Sequence, residues 1–265
     1  MNDIVAAFHE YFEIVVADTP ELLKEVFSLR YYIWCITERY FDASSYQDQL
    51  EKDEFDERSV HILLRHRSSD TFVGTARLIL SNSRLKNSKL PIELHTHFYS
   101  EFTDSKQLRP YTAEISRLAI RNDFLKRKED LDFGNSINTM ENFKRARGRR
   151  FPHPMLALMV GLIQICAKLE IYYWFSAMTP ALNRLLGFYG MQHDPIGPFV
   201  DYYGLRRPYY ISLFDMLERM YISHPDIWEL VTDSGRIWPV NLEELKLVHR
   251  YKQDLPNNYV NILTC

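Results

Sequence analysis

"TAEISRLAI", residues 112–120, alternates apolar and polar side chains like a half-buried strand, yet sets Glu114, Ser116 and Arg117 inside that alternation. On a regular strand Glu114 and Arg117 have opposite parity and point to opposite faces. Only a bulge or a splay lets both serve one site. The plain alternative is a cross-strand salt bridge.

Outward from this strand the chain reads as alternating elements. Residues 12–17, "FEIVVA", are β-rich and stop at "DTP", where Asp18 or Thr19 caps a helix and Pro20 suits its first turn. That helix, "ELLKEVFSLRYYIWCITERY", carries Leu22, Val26, Leu29 and Ile33 on one stripe. An acidic, turn-rich segment over 42–58 leads into "SVHILLRHR" and "TFVGTARLIL", a hairpin closed by "SSD". Residues 81–110, broken by Pro91 and Pro110, read as a long surface insertion.

After residues 112–120 the composition changes. Residues 121–150 hold nine Lys/Arg against five Asp/Glu, a local charge of +4 on a chain whose net charge is −3. A helix over about 153–169, a strand "IYYWFSAM", a short helix "PALNRLLGFYG", a strand near 191–196 and a last strand "RPYYISL" follow, then polar C-terminal helices. This order is mixed α/β (α+β), with too few βαβ crossovers for a doubly wound sheet. It predicts a mostly antiparallel sheet with helices on both faces. Residues 1–215 are expected to form the domain, with 121–150 a basic mobile insertion, and 216–265 a helical extension of it.

The bulk numbers narrow the function classes. With 265 residues, 46% of them hydrophobic, the chain can bury a sizeable core, and its slight negative charge gives no reason to expect a nucleic-acid partner. Seventeen Tyr and sixteen Phe suit either an apolar cleft or extra core aromatics. Three cysteines (Cys35, Cys166 and Cys265) make no disulfide framework or zinc pattern, which points to a reducing cytoplasm. The first residues carry acids where a signal peptide wants bases. The longest apolar run is interrupted by Gln164, Lys168 and Glu170, so no transmembrane segment is expected. His95 and His97 lack a third ligand at useful spacing, and no metal is expected.

Taken singly, the charged residues have plain readings. Arg30 in "SLRYYIW" can lay its stem on apolar surface. Asp53 and Asp56 in "EKDEFD" can be a solvated acidic loop. Arg77 in "GTARLIL" can face solvent.

Taken in order, Arg30, "ExDxxD", "GTxRL" and "EISRLAI" resemble the acyl-homoserine-lactone (autoinducer) synthases, within the wider GNAT-like acyltransferases. That family's aromatics, four and ten residues after the helix arginine, match Trp34 and Tyr40. Its paired aspartates match Asp53 and Asp56, its strand arginine Arg77, and its E-x-SR Glu114, Ser116 and Arg117. In the second half, "AMTPALNRLLGFYGMQHDPIGPFVDYYGLRRPYYIS" resembles the GNAT-like acyltransferases associated with PEP-CTERM/exosortase systems, which are similar to N-acyl amino acid synthases. The resemblance spans roughly residues 20–215. It implies a GNAT-like sheet with a splayed central strand, and transfer of a long fatty acyl group from a thioester to an amine.

In that reading Glu114 is the general base, directly or through a water. Arg30 and Arg77 grip an acceptor carboxylate, Asp53 and Asp56 hold its ammonium or order the loop, and Arg117 positions them. No cofactor is permanently bound, and the co-substrate is an acyl-phosphopantetheine thioester. After "SRLAI" the glycine-rich turn that cradles coenzyme A in typical GNAT enzymes is replaced by basic clusters. Lys126, Arg127, Lys128, Arg147, Arg149 and Arg150 are therefore expected to dock an acidic acyl carrier protein. Cys35 as an acyl-enzyme nucleophile is the lesser alternative. Two rivals stand beside the main reading: a true homoserine-lactone synthase using S-adenosylmethionine, and a non-catalytic acyl-chain or carrier-protein binding module.

Overall fold

Thr19 caps the first long helix, its Oγ1 accepting from the Leu22 N–H at 3.3 Å, with Pro20 in the first turn. The computed structural model describes residues 3–81, 89–100, 102, 108–125 and 153–254. Helix α1 (Asp3–Tyr11), which the sequence reading missed, precedes β1 (Phe12–Val16). Helix α2 (Pro20–Tyr31) does not continue to residue 40, as the sequence suggested. It passes into one π-helical turn, Tyr32–Thr37, after which the Trp34 carbonyl accepts from the Tyr40 and Phe41 N–H groups at 2.8 and 3.2 Å. The wider turn folds these aromatics back toward the sheet.

β1, β2 (Ser59–His66), β3 (Thr71–Leu80), β4 (Thr112–Ile120), β5 (Tyr173–Met178) and β8 (Leu205–Ser212) build one open sheet. The two-residue strands β6 (Asp194–Pro195) and β7 (Val200–Asp201) pair with β8. The order is β1-β2-β3-β4-β5-β8-β6, and every pairing is antiparallel except β4 with β5. A parallel neighbour needs a crossover. After the single turn α4 (Asn122–Leu125), α5 (Pro154–Lys168) forms the returning half of it. α5 is apolar almost all round, as a helix buried on all sides must be.

On one face of the sheet α5 packs with α1, α6 (Pro180–Gly187), α7 (Leu213–Ser223) and α8 (Pro225–Thr232) over Ile62, Leu64, Leu78, Ile115 and Trp174. The C-terminal helices are therefore not merely polar: Leu213, Phe214, Met216, Leu217, Trp228 and Val231 belong to the main core. α9 (Glu243–Asp254) sets His249 against Tyr111 and Tyr172. The opposite face carries α2 over Leu63 and Ala119 and, further along, α3 (Pro91–His95) over Ile79 and Phe175. This corrects the reading of 81–110 as a surface insertion. Leu90 and Ile92 are buried in that second core, because Pro91 starts a short helix that turns them inward.

Candidate active site

β4 runs beside β5 only from Thr112 to Ile115, paired with Tyr173 to Ser176, and the two strands then part. On its other edge β4 pairs Ser116 with Arg77 and next Ala119 with Thr75, so β4 holds one residue more than β3 between these points. Arg117 sits at that bulge with φ 49°, a left-handed conformation that a non-glycine residue adopts only under constraint. The extra residue answers the parity problem. Arg117 returns to the side of Arg77 and Glu114, and Arg77 and Arg117 share Asp53.

Three arginines and three carboxylates close a network beneath this bulge. Arg30 Nε donates to Glu51, and its Nη1 to Asp56 Oδ1 at 2.7 Å. Arg77 Nη1 reaches Asp53 Oδ1 and Asp56 Oδ1, both at 2.6 Å, while its Nε donates to Ser116 Oγ at 2.9 Å. Arg117 Nη2 reaches Glu51 at 3.1 Å and Asp53 at 3.0 Å. Arg30 and Glu51 are fully buried, and Arg77 nearly so. Burial alone would raise the Asp56 carboxyl, but Arg30 and Arg77 outweigh it and bring it down to about 2. Burial likewise depresses the Arg117 guanidinium, and Glu51 and Asp53 overcome it and hold it charged.

This network accounts for several residues of the expected site. Arg30 does not line the cavity described below: its Nε and Nη1 are taken by Glu51 and Asp56, while its buried Nη2 has no hydrogen-bond partner. Asp53 and Asp56 are not a solvated loop, since each closes on an arginine. Glu51 was passed over although it opens the "ExDxxD" string. Its partners lie 21 and 66 residues away, and nothing local marks it as buried.

A cavity of about 190 Å³ opens where β4 and β5 part. On the α2/α3 face it is bounded by Arg77, Glu114, Ser116, Arg117, Tyr202 and Arg206, with Trp34, Tyr40 and Phe41 as an aromatic wall. On the α5/α6 face it is bounded by Ile115, Met159, Met178, Leu182 and Leu186. The cavity thus passes through the sheet, from a polar end to an apolar one. Trp34 stands 5.5 Å from Tyr40 and 6.3 Å from Phe41, and the Arg117 guanidinium lies 4.8 Å above Phe41. Tyr202 stacks on His95 at 4.6 Å.

Glu114 is buried, and its Oε2 accepts from the Ile92 N–H at 2.9 Å. Burial pushes its carboxyl up to about 8, against the weaker downward pull of that N–H and of Arg77. Burial, with Glu114 adding to it, pushes the Tyr202 phenol up to about 12, so it stays a hydrogen-bond donor. Tyr202 was visible only as part of the "GPFVDYYG" run. Beyond Ile115 the β4 edge facing β5 has no ladder, which leaves backbone groups for a ligand. A carboxyl tuned near neutral pH beside an apolar channel can take a proton from a nucleophile.

The remaining expectations sort simply. Lys126, Arg127, Lys128, Arg147, Arg149 and Arg150 lie outside the described residues. Cys35 is buried, its thiol raised by burial and by Glu51, and it does not line the cavity. Among the described residues no cluster of three or more His, Cys, Asp or Glu could hold a metal, and no helix is long and apolar enough to cross a membrane.

Residues 29–131 match the family described as Acetyltransferase (GNAT) domain. No curated protein matches the sequence. Among solved structures, TofI in a ternary complex with an inhibitor and MTA is similar, with a TM-score of 0.53 and 14% identity, over 82% of this chain and 99% of that one. BjaI, a CoA-dependent acyl-homoserine lactone synthase with SAM and isopentyl-CoA, is similar with a TM-score of 0.51 and 17% identity, over 87% of this chain and 90% of that one. FeeM, an N-acyl amino acid synthase from uncultured soil microbes, gives a TM-score of 0.45 and 10% identity, over 78% of this chain and 93% of that one. The fold is GNAT-like: a mixed α/β, mostly antiparallel open sheet of eight strands with helices.

Proposed function

We propose that the protein is an N-acyltransferase. It moves a long fatty acyl group from an acyl carrier protein thioester to the amine of an amino acid or related small molecule, in the cytoplasm. The observation that carries this reading is the placement of Glu114, a carboxyl raised to about 8, where the polar end of the cavity meets its apolar end.

An amine arrives protonated at neutral pH, with a value near 8 for an α-amino group. A carboxylate of ordinary acidity would leave that proton in place, whereas one near 8 matches it. Glu114 in its ionised form, populated as pH approaches about 8, takes the proton, and the freed nitrogen attacks the thioester carbon. The C–N bond forms as the C–S bond breaks, and the departing thiolate collects a proton to leave as a thiol. The unladdered β4 edge supplies N–H groups for the carbonyl oxygen, the Tyr202 hydroxyl donates a hydrogen bond towards the departing sulfur, and the proton held by Glu114 goes to it. Arg117, already paired, holds the acceptor wall in shape. The acyl chain runs on between Met159, Met178, Leu182 and Leu186.

A carrier-protein donor is favoured over coenzyme A because the segment after β4 offers basic clusters and no glycine-rich cradle. The PEP-CTERM/exosortase link rests on the resemblance over 177–212, and gene neighbourhood tests it. A second reading is a homoserine-lactone synthase with S-adenosylmethionine as acceptor. It is supported by Trp34, Tyr40 and Phe41, whose faces suit a purine.

Mass spectrometry separates these readings. The purified protein is incubated with long-chain acyl carrier protein and pooled amino acids, in parallel with S-adenosylmethionine and with Glu114→Gln. An N-acyl amino acid that vanishes in the variant supports the reading. Methylthioadenosine release would favour the second one. Bound acyl chain with no product from either acceptor would leave a binding module.

A further inference from the structure

The apolar branch of the cavity contains two polar groups that the transfer reaction does not use. Ser176, on β5, is 6% exposed, and its Oγ has no hydrogen-bond partner. His193, just before β6, is 2% exposed, and no hydrogen bond of proper geometry closes on either ring nitrogen. Both line the cavity beside Met178 and Leu186. Ser176 and Trp174 share one face of β5, and the His193 ring stacks on Trp174 at 6.3 Å. Both side chains therefore belong to one wall.

His193 is held rigidly. Its backbone N–H and C=O both close on the Asn183 amide, at 2.9 and 3.0 Å. Burial pulls the ring down to about 4, with the Met191 backbone opposing, so it is neutral and carries one N–H and one lone pair. Buried polar groups left unpaired cost free energy, so a ligand that pairs both Ser176 and His193 gains by it.

We propose that this branch holds an acyl chain bearing a hydroxyl group, read by Ser176 and His193. A hydroxyl can donate or accept, and so satisfies His193 in either tautomer and Ser176 in any rotor position. A keto oxygen can only accept, and a plain chain satisfies neither residue. The proposal rests on the acyltransferase reading for the identity of the chain, but its test does not depend on turnover.

The test measures displacement of a dansyl-labelled fatty acid from the purified protein. The competitors are fatty acids of one length, unsubstituted or with a single hydroxyl walked along the chain. One hydroxyl position should bind roughly tenfold more tightly than the plain acid. His193→Leu should bring that ratio towards one. Ser176→Ala, a smaller change, should do the same in part if His193→Leu proves unstable.

Equal binding of plain and hydroxylated acids would overturn the proposal while leaving acyl transfer intact. A preserved ratio in both variants would overturn it too. Preference for the hydroxylated acid in a protein that transfers no acyl group would sustain it while removing the acyltransferase reading.

Discussion

Replacing Glu114 with glutamine should stabilise the protein, and the gain should depend on pH. Glu114 has its carboxyl raised from 4.5 to about 8 by burial. Below 4.5 the side chain is protonated in the folded and unfolded chains alike, and wild type and variant differ only in shape. Between 4.5 and about 8 the unfolded chain has given up the proton and the folded one has kept it. The folded state then binds more protons, and its stability falls as pH rises. Above about 8 the cost is complete. At about 1.4 kcal/mol for each tenfold change, the interval amounts to roughly 4 to 5 kcal/mol, an upper bound because buried sites relax. Glutamine cannot ionise and can still accept from the Ile92 N–H. Urea unfolding of both proteins from pH 5 to 9 should therefore give curves that diverge with pH, the variant the more stable at the alkaline end. A difference that stays flat across this range would refute the burial argument, and with it the case for Glu114 as the base.

Glu51→Ala should cost about 3–5 kcal/mol, because it leaves the fully buried Arg30 with Asp56 alone and strips Arg117 of one partner. Calorimetry should show a melting temperature lower by roughly 10 °C, while the exposed Glu54→Ala barely moves it. Leu182→Trp should fill the apolar branch, so that mass spectrometry finds shorter chains in the product; an unchanged length distribution would place the chain elsewhere. Cys35→Ala should leave turnover unaltered in the acyl-transfer assay, since this thiol is buried, raised by burial and away from the cavity.

The strands were largely legible in the sequence, because alternation and turn residues are local signals. Residues 59–80 resolved into a hairpin, and the Asp18–Thr19 pair announced its helix, with Thr19 proving to be the cap. What escaped were features set by distant partners. The parity conflict between Glu114 and Arg117 was visible, but the bulge that resolves it depends on β3 register, which a single strand does not encode. Glu51 sat in plain view within an acidic run whose composition reads as solvated, and only Arg30 and Arg117 make it interior. Leu90 and Ile92 hid behind prolines that usually mark surface. His193 carried no signal at all. A histidine between polar neighbours reveals neither its burial nor its lack of partners.

The seam between β4 and β5 has a consequence for how such a protein can change over time. The two ends of the cavity are furnished by different faces of the sheet, so on the acyl-transfer reading proposed above choice of donor and choice of acceptor are separable traits. Substitutions on α5 and α6 can retune the chain while the arginine–carboxylate network stays intact. Changes around Trp34 and Tyr40 can admit another amine without disturbing the apolar branch. Descendants of one ancestor could thus diversify their products along two axes independently.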